Sequence, residues 1–355
     1  MTLPDPEHPF LIPRRDGVVL VLRALGLGDA LTGVAALRGL RRAFPGRLLV
    51  LAAPDGVGRW LRDLGLVDGV LPTTGLAPLR WDAADHVAVN LHGRGPQSHR
   101  ILAATAPAQL VAFANEEAGH QGGPAWRADE HEVERWCRLV TAAGGACGPE
   151  DLRLPGHRPE PTDEVVVHPG AASRSRRWPV DRWARLVRHL VEGGHHVVLT
   201  GGPEERRLCA DVMSAAGLAP GGRGRHRAAD PDVPWDQQVG GHLTTSGRRA
   251  GTVRSTAGLL DLPALADVVD GARLVVCGDT GVAHLATAYA TPSVLLFGPT
   301  PPQRWGPLID PHIHTVLWHG ETAQPGDPHG DEVDPALAAI TPGEVIESVE
   351  SLLRR

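Results

Sequence analysis

Short apolar runs alternate with segments of helical periodicity along most of this chain, and this alternation most constrains its fold. Val18 to Leu22 is an aliphatic run that is followed by a glycine turn and by helical spacing through Phe44. The same order returns from Val165 and again from Leu274. Strands that alternate with helices predict a parallel, doubly wound sheet, because each helix returns the chain to the start of the next strand. We therefore expect an α/β fold.

The stretch from Leu274 to Thr300, LVVCGDTGVAHLATAYATPSVLLFGPT, predicts a strand, a helix and a second strand. Thr280 can cap a helix that starts near Gly281. A helix that begins at the carboxyl end of a strand offers backbone N–H groups and a positive dipole end, which suit a pyrophosphate. Asp279 could bond a sugar hydroxyl there, and His284 could approach phosphate oxygens. The alternative is that Asp279 only caps the helix and His284 is a satisfied buried histidine.

The first predicted strand ends in the turn RALGLGD. Gly26 and Gly28 allow a tight turn and a close approach to a ligand, while Asp29 projects from the start of the helix. A dinucleotide fingerprint would require a third glycine where Leu31 stands. We therefore do not expect NAD.

Two later turns concentrate arginine and histidine at predicted carboxyl edges of strands. The turn NLHGRGPQSHR begins at Asn90 and is a candidate anion site, although a solvated loop with incidental arginines is the alternative. The turn HPGAASRSRRWP begins at His168 and places hydroxyls and arginines before a helix, where they could clamp phosphates. Another strand, glycine turn and helix follow from His196, with Gly201 and Gly202 in the turn.

Composition limits the class of protein. With 355 residues, 42% of them hydrophobic, the chain can supply cores for two domains. A net charge of −6 argues against a nucleic-acid partner bound through general positive charge. No lysine occurs, so arginine must supply any cation that a site needs.

The cysteines predict neither a disulfide framework nor a zinc site, since all four are widely separated and form no Cys-x-x-Cys pair. His312, His314 and His319 have no carboxylate or cysteine spaced with them, so we expect no metal. No segment approaches the ~18 apolar residues of a membrane span, and the amino terminus lacks a long apolar run. We therefore expect a reduced, cytoplasmic protein that needs no cofactor.

Proline, glycine and charge dominate Cys147 to Thr162, where we place a domain boundary. The predicted domains are residues 1–155 and 156–340, followed by a terminal helix at 341–355 that opens with a capping box from Thr341 to Glu344. Between Gly217 and Arg254 the periodicity fails, which predicts a long mobile insertion. A lid and a loop without function are both consistent with it.

Four motifs fall into one register: RALGLGDAL, HPGAASRSRRWP, TGGPEE, and GDTGVAHLA with FGPT. Together they resemble the ADP-heptose:lipopolysaccharide heptosyltransferases and their relatives, glycosyltransferase family nine. The resemblance implies a GT-B architecture of two facing Rossmann-like domains, with the terminal helix packing back on the first. It also implies transfer of a heptose or similar sugar from an ADP-sugar to a saccharide or glycosylated acceptor, with inversion and without metal.

The resemblance implies residue roles as well. Asp29 matches the family's catalytic aspartate, the general base for the acceptor hydroxyl, and Arg176 replaces a phosphate-binding lysine of many members. The expected donor-binding residues are Ser173, Arg176, Arg177, Gly201, Gly202, Asp279, Thr280, Gly281 and His284. The expected acceptor-binding residues are Gly28, His92, Arg94 and Arg100. His92 stands where members often have glutamine, so the acceptor can differ from theirs.

Two other classes of function remain open from the sequence. A nucleotide-sugar epimerase of GT-B shape would use further acid and base groups, which the sequence does not reveal. A noncatalytic nucleotide-sugar-binding protein would not require Asp29 as a base. We expect a monomer without a nucleic-acid partner, and an association with the inner membrane surface is consistent with a saccharide acceptor in the cell envelope.

Overall fold

The structure is a computed structural model that describes residues 17–156, 162–218 and 251–355. The chain divides into two compact units, one ending at Leu152 and the other beginning at Arg153. The division lies three residues before the predicted boundary at 155/156. Each unit contains one parallel sheet, which confirms the predicted α/β class.

The first unit has a five-stranded sheet in the order β3-β2-β1-β4-β5, and all of its strands run parallel. Its strands are β1 (Val18–Leu22), β2 (Leu48–Ala53), β3 (Gly69–Pro72), β4 (Val87–Asn90) and β5 (Gln109–Val111). Its α-helices are α1 (Leu27–Thr32), α2 (Val34–Ala43), α3 (Asp55–Asp63), α4 (Gln97–Ala103) and α5 (Glu132–Ala142). Every residue of β1 is buried, as expected for the central strand of a sheet covered on both faces.

The helical segment after β1 is divided in two at Gly33, whereas the sequence predicted helical spacing through Phe44. A Cβ atom at Gly33 would lie 2.8 Å from both Cδ and Nε of Arg23. Glycine is therefore required at this junction because the Arg23 side chain passes directly over it.

The second unit has a six-stranded parallel sheet in the order β11-β10-β9-β6-β7-β8. Its strands are β6 (Glu164–His168), β7 (His196–Leu199), β8 (Thr252–Ser255), β9 (Leu274–Gly278), β10 (Ser293–Leu296) and β11 (His314–Leu317). Its α-helices are α6 (Val180–Glu192), α7 (Arg206–Ala215), α8 (Leu262–Asp270), α9 (Gly281–Ala288), α10 (Pro302–Trp305), α11 (Pro335–Ala339) and α12 (Pro342–Leu353).

The terminal helix α12 begins with the predicted capping box. Thr341 Oγ1 accepts a hydrogen bond from the Glu344 N–H at 3.3 Å, and Glu344 accepts one from the Thr341 N–H at 2.8 Å. Val345, Val349 and Leu353 lie in the core of the second unit, where the helix packs on α6, β9 and β10. These contacts assign the helix to the second unit, because its apolar stripe is buried against the sheet that precedes it in the chain.

The sequence did not predict the two edge strands of the second sheet, β8 and β11. β8 overlaps the last three residues of the segment interpreted as an insertion, and β11 contains His314, one of the three histidines considered for metal binding. The remainder of the predicted insertion, residues 219–250, lies outside the described residues. Within the described ranges, no helix is long and apolar enough to cross a membrane, and no group of three or more His, Cys, Asp or Glu side chains could hold a metal ion.

Candidate functional site

The strand order of the second sheet reverses between β6 and β9. From β6 the chain proceeds to β7 and β8 on one side, and then returns to β9, β10 and β11 on the other. The carboxyl ends of β6 and β9 are adjacent, with His168 paired to Cys277. In open α/β sheets, ligands bind outside the carboxyl ends of the strands at such a reversal.

The predicted phosphate-binding residues in the loop after β6 contact the turn before α9 at this reversal. Arg176 Nη1 donates a hydrogen bond to the carbonyl oxygen of Asp279 at 3.3 Å, and its Nε donates to Ser173 Oγ at 3.3 Å. A Cβ atom at Gly278 would lie 3.3 Å from the Arg176 carbonyl oxygen, so glycine permits this close approach. The structure thus brings Ser173, Arg176 and Asp279 together.

The turn itself presents the amino end of α9. Thr280 has extended backbone at the N-cap and Gly281 is the first helical residue, as predicted. The Thr280 side chain forms no capping hydrogen bond in the described chain, so it leaves the first amides of this helix to other partners. Asp279 is buried and His284 is half-buried, with the His284 ring edge-on to Trp305 at 6.0 Å between centroids.

Arg177 has a different contact from its neighbour. Its Nε donates to the Ala171 carbonyl oxygen at 2.8 Å, within the same loop. The two adjacent arginines therefore bond to different backbone segments, and the one that meets the α9 turn is Arg176.

Gly201 and Gly202 follow β7 and pack against Glu205. A Cβ atom at Gly201 would lie 2.9 Å from Glu205 Cβ, and the Gly202 N–H donates to Glu205 Oε2 at 2.8 Å. A phosphate that used the Gly202 amide would therefore have to displace this carboxylate.

A buried histidine at the same edge was not singled out from the sequence. His168 Nδ1 lies 3.0 Å from Thr200 Oγ1, and its Nε2 lies 4.0 Å from Glu205 Oε2. Burial lowers the pKa of His168, although Glu205 opposes this shift. Its place at the last position of β6 is the sequence signal that could have identified it.

Residues 326–334, which lie near the carboxyl end of the chain, pack on the loop that follows β6. The Ser175 N–H donates to Gly330 O at 3.1 Å, the Asp334 N–H donates to Ser175 O at 3.1 Å, and Ser173 Oγ donates to Pro328 O at 2.5 Å. No local pattern reveals contacts between residues 155 positions apart, such as Ser173 and Pro328.

The first sheet reverses its strand order between β1 and β4. The turn after β1 leads into α1, whose N-cap is Gly26 and whose first turn contains Gly28 and Asp29. Asp29 is half-buried. A Cβ atom at Gly26 would lie 4.0 Å from Asp29 Oδ2, so the carboxylate stays close to the glycine turn.

His92, in the loop after β4, contacts the β1 turn across this reversal. Its Nδ1 accepts a hydrogen bond from the Ala24 N–H at 3.2 Å. This contact requires Nδ1 to be unprotonated, so the proton of the neutral ring is on Nε2. Burial, and then the charge of Arg23, lower the pKa of His92, which favours this neutral form.

The other basic residues of the loop are less closely associated with the β1 turn. Arg94 is exposed, and Arg100 donates to the Glu117 carbonyl oxygen at 2.7 Å. His99 is buried between Asn90 Nδ2 at 3.1 Å and Phe113 O at 2.8 Å, which is a structural role.

Comparison with known proteins supports the sequence resemblance. The family described as glycosyltransferase family 9 (heptosyltransferase) matches residues 124–221 and 242–329, together a little over half of the chain. Lipopolysaccharide heptosyltransferase 3 of Escherichia coli is 26% identical over 191 residues, which are 53% of this chain and 46% of the relative. Lipopolysaccharide heptosyltransferase 1 of Pseudomonas aeruginosa is 37% identical over 193 residues, which are 52% and 44%. The chain thus spans about half the length of the curated relatives it matches.

Solved structures share the fold over nearly the whole chain. The ADP-heptose heptosyltransferase II of E. coli superposes with a TM-score of 0.67 at 18% identity, covering 95% of this chain and 98% of that one. A family 9 glycosyltransferase from Veillonella parvula gives 0.68 at 15% identity, covering 95% and 97%. These likenesses confirm the predicted GT-B fold of two Rossmann-like units. Because the family's own pattern matches more than half of the sequence, this chain belongs to glycosyltransferase family 9.

Proposed function

We propose that this protein is an inverting glycosyltransferase that moves a heptose or similar sugar from an ADP-sugar to a saccharide acceptor without a metal ion. Membership in glycosyltransferase family 9 supports the class of reaction. The two curated relatives compared above carry lipopolysaccharide in their names, so the first acceptor to test is a cell-envelope saccharide that the enzyme would meet in the cytoplasm.

One observation carries the proposal: Arg176 bonds to the Asp279 carbonyl oxygen where the strand order reverses, at the amino end of α9. A nucleoside diphosphate leaves with its negative charge increased, so the transition state needs positive charge and N–H donors fixed in place. The guanidinium and the helix dipole would supply both. Ser173, which is bonded to Arg176 Nε, would orient the guanidinium.

The acceptor hydroxyl must also lose its proton. Asp29 in the first turn of α1 is the carboxylate that we assign to this step, and one base is sufficient for transfer with inversion. His92 would hold the acceptor through its Nε2–H, because its Nδ1 already accepts from Ala24.

The choice of ADP rests on likeness to proteins that bind it. An E. coli heptosyltransferase solved with ADP has a TM-score of 0.62 at 17% identity, and the same enzyme was solved with an ADP-2-deoxy-2-fluoro heptose. At this identity the likeness establishes the fold alone, so the nucleotide remains part of the proposal.

The test is a donor screen on the full chain, with ADP-heptose, other ADP-sugars, GDP-sugars and UDP-sugars. Binding would be measured by calorimetry, and products would be followed by mass spectrometry with lipopolysaccharide core acceptors. We expect tightest binding of an ADP-sugar and transfer of the sugar with inverted anomeric configuration. Preference for UDP would remove the donor assignment. A donor returned with an epimerised sugar, or binding of every donor without turnover on any acceptor, would contradict the proposed reaction.

A further inference from the structure

Arg23, the residue that follows β1, is a buried cation to which no binding or catalytic role was assigned above. Its relative exposure is 2%, and it lies beside the turn that leads to Asp29. A guanidinium is costly to bury unless its N–H groups find partners. The hydrogen-bond partners of Arg23 therefore show which segments of the chain this side chain fixes.

The guanidinium bonds to the segments on both sides of the strand reversal. Nε donates to the carbonyl oxygen of Asp29, Nη1 donates to the carbonyl oxygen of Leu91, and Nη2 donates to Thr32 Oγ1 at 2.8 Å. Thr32 Oγ1 donates to the same Asp29 carbonyl oxygen at 2.9 Å. One side chain thus connects the helix of Asp29 to the residue immediately before His92.

A second set of contacts fixes Arg23 itself. Nη2 lies 3.5 Å from Glu132 Oε1 on α5, and the guanidinium lies 5.0 Å from the centroid of the Trp136 ring. Trp136 Nε1 also donates to Glu132 Oε1 at 2.7 Å. Gly33, which has no Cβ atom, leaves the space that Cδ and Nε of Arg23 occupy. The side chain is therefore held by contacts with α5, and it fits into the space at Gly33 between α1 and α2.

We propose that Arg23 is a positioning residue for acceptor deprotonation, holding the helix that carries Asp29 and the loop that carries His92 in one fixed arrangement. The inference rests on the proposed function, because it concerns the base of that reaction. Arg23 acts through backbone carbonyl groups and does not touch the reacting atoms. Fixed geometry of this kind matters because displacement of a catalytic group by about 1 Å can cost roughly 100-fold in rate.

Two variants disturb this arrangement in different ways. Arg23→Lys keeps the positive charge but cannot reproduce the planar fork of donors. Gly33→Ala keeps the whole guanidinium and forces the Arg23 stem to move. We expect each to lower kcat by roughly 10- to 100-fold, with donor affinity unchanged because the proposed donor residues belong to the second unit.

Arg138→Met is the matched control in the same unit. Arg138 forms a bidentate pair with Glu130, with both distances 2.6 Å, and lies 4.9 Å from the Phe113 ring centroid. Its loss should lower the melting temperature and leave kcat unchanged. Equal kcat losses in Arg138→Met and Arg23→Lys would mean that general destabilisation, and not positioning, explains the result.

A readout independent of activity separates failure of this inference from failure of the proposed function. Nitrogen-15 spectra would report the tautomer of His92, with His92→Gln used to assign the signal. We expect the Nε2–H tautomer in the wild type and a mixture in both variants, because the Leu91 contact beside His92 is disturbed. An unchanged tautomer together with unchanged kcat, in a protein that Asp29→Asn inactivates, would overturn the positioning role. If the wild type transfers no sugar, the spectra alone decide, and an unchanged tautomer overturns it.

Discussion

Arg176 Nη1 donates to the carbonyl oxygen of Asp279 at 3.3 Å, although 103 positions separate the two residues in the chain. The contact joins the loop after β6 to the turn before α9, at the point where the strand order of the second sheet reverses. A corresponding contact in the first sheet joins His92 to Ala24 at 3.2 Å. Arg176 and Asp279 in one unit, and His92 in the other, thus lie at the position that open α/β sheets use for ligands.

Replacement of Arg176 by alanine should weaken ADP binding by about 1.5 to 3 kcal/mol, the range for a hydrogen bond to a charged group. This corresponds to a loss of roughly 10- to 150-fold in affinity. The matched control is Arg177→Ala, which should have a smaller effect because Arg177 Nε bonds to the Ala171 carbonyl oxygen. Calorimetric titration with ADP measures both. A larger loss in Arg177→Ala would assign the phosphate to the neighbouring arginine.

Asp29→Asn should leave donor affinity nearly unchanged and lower turnover by roughly 10²- to 10⁴-fold, the usual range for loss of a general base. Asp55→Asn is a suitable control, since Asp55 also lies in the first turn of a helix of the same unit and pairs with Arg59 at 2.7 Å. That variant should retain wild-type turnover. Steady-state rates within a few fold of wild type for Asp29→Asn would remove the base assignment.

Gly33→Ala should lower the free energy of unfolding by about 1 to 3 kcal/mol, the usual cost of an overfilled site. The added Cβ would stand 2.8 Å from Arg23 Cδ and Nε, which the surrounding contacts hold in place. Gly56→Ala, in α3, meets nothing within 4 Å. It should be neutral or stabilising by up to about 1 kcal/mol, because alanine favours helix. Urea denaturation of both variants would check this difference, and equal destabilisation would contradict it.

The cap of α12 should make stability depend on pH. The Glu344 carboxylate accepts from Thr341 Oγ1 at 2.7 Å and from its N–H at 2.8 Å, and these bonds lower the Glu344 pKa from its ordinary 4.5. A carboxyl whose pKa is lowered by folding adds stability above its ordinary pKa and loses it as pH falls through the folded value. We expect the melting temperature of the wild type to fall more between about pH 5 and about pH 3 than that of Glu344→Gln.

The exposed Glu347 on the same helix provides the control for that experiment. Glu347→Gln should follow the wild-type pH dependence. If the Glu344 and Glu347 variants had the same pH profile, the capping carboxylate would not be the group that titrates.

Much of the architecture was predictable because its signals are local. The Leu274–Thr300 pattern predicted β9, α9 and β10, and Thr341 with Glu344 predicted the start of α12. These signals depend on hydrophobic spacing and on side chains within one helical turn of the backbone groups they bond. The edge strands β8 and β11 were not predicted, since short polar-flanked strands are specified by pairing with a neighbour.

By itself, the sequence determined the alternation of strands and helices, the glycine turns, the capping box and the family, because each is encoded by residues near one another in the chain or by ordered motifs. Only the tertiary structure decided that Arg176 bonds to the backbone of Asp279, that the buried Arg23 bonds to the backbone of Asp29, and that α12 packs in the second unit. The physical reason is that side-chain contacts depend on which strands become neighbours. Strand order brings together residues that no local pattern connects.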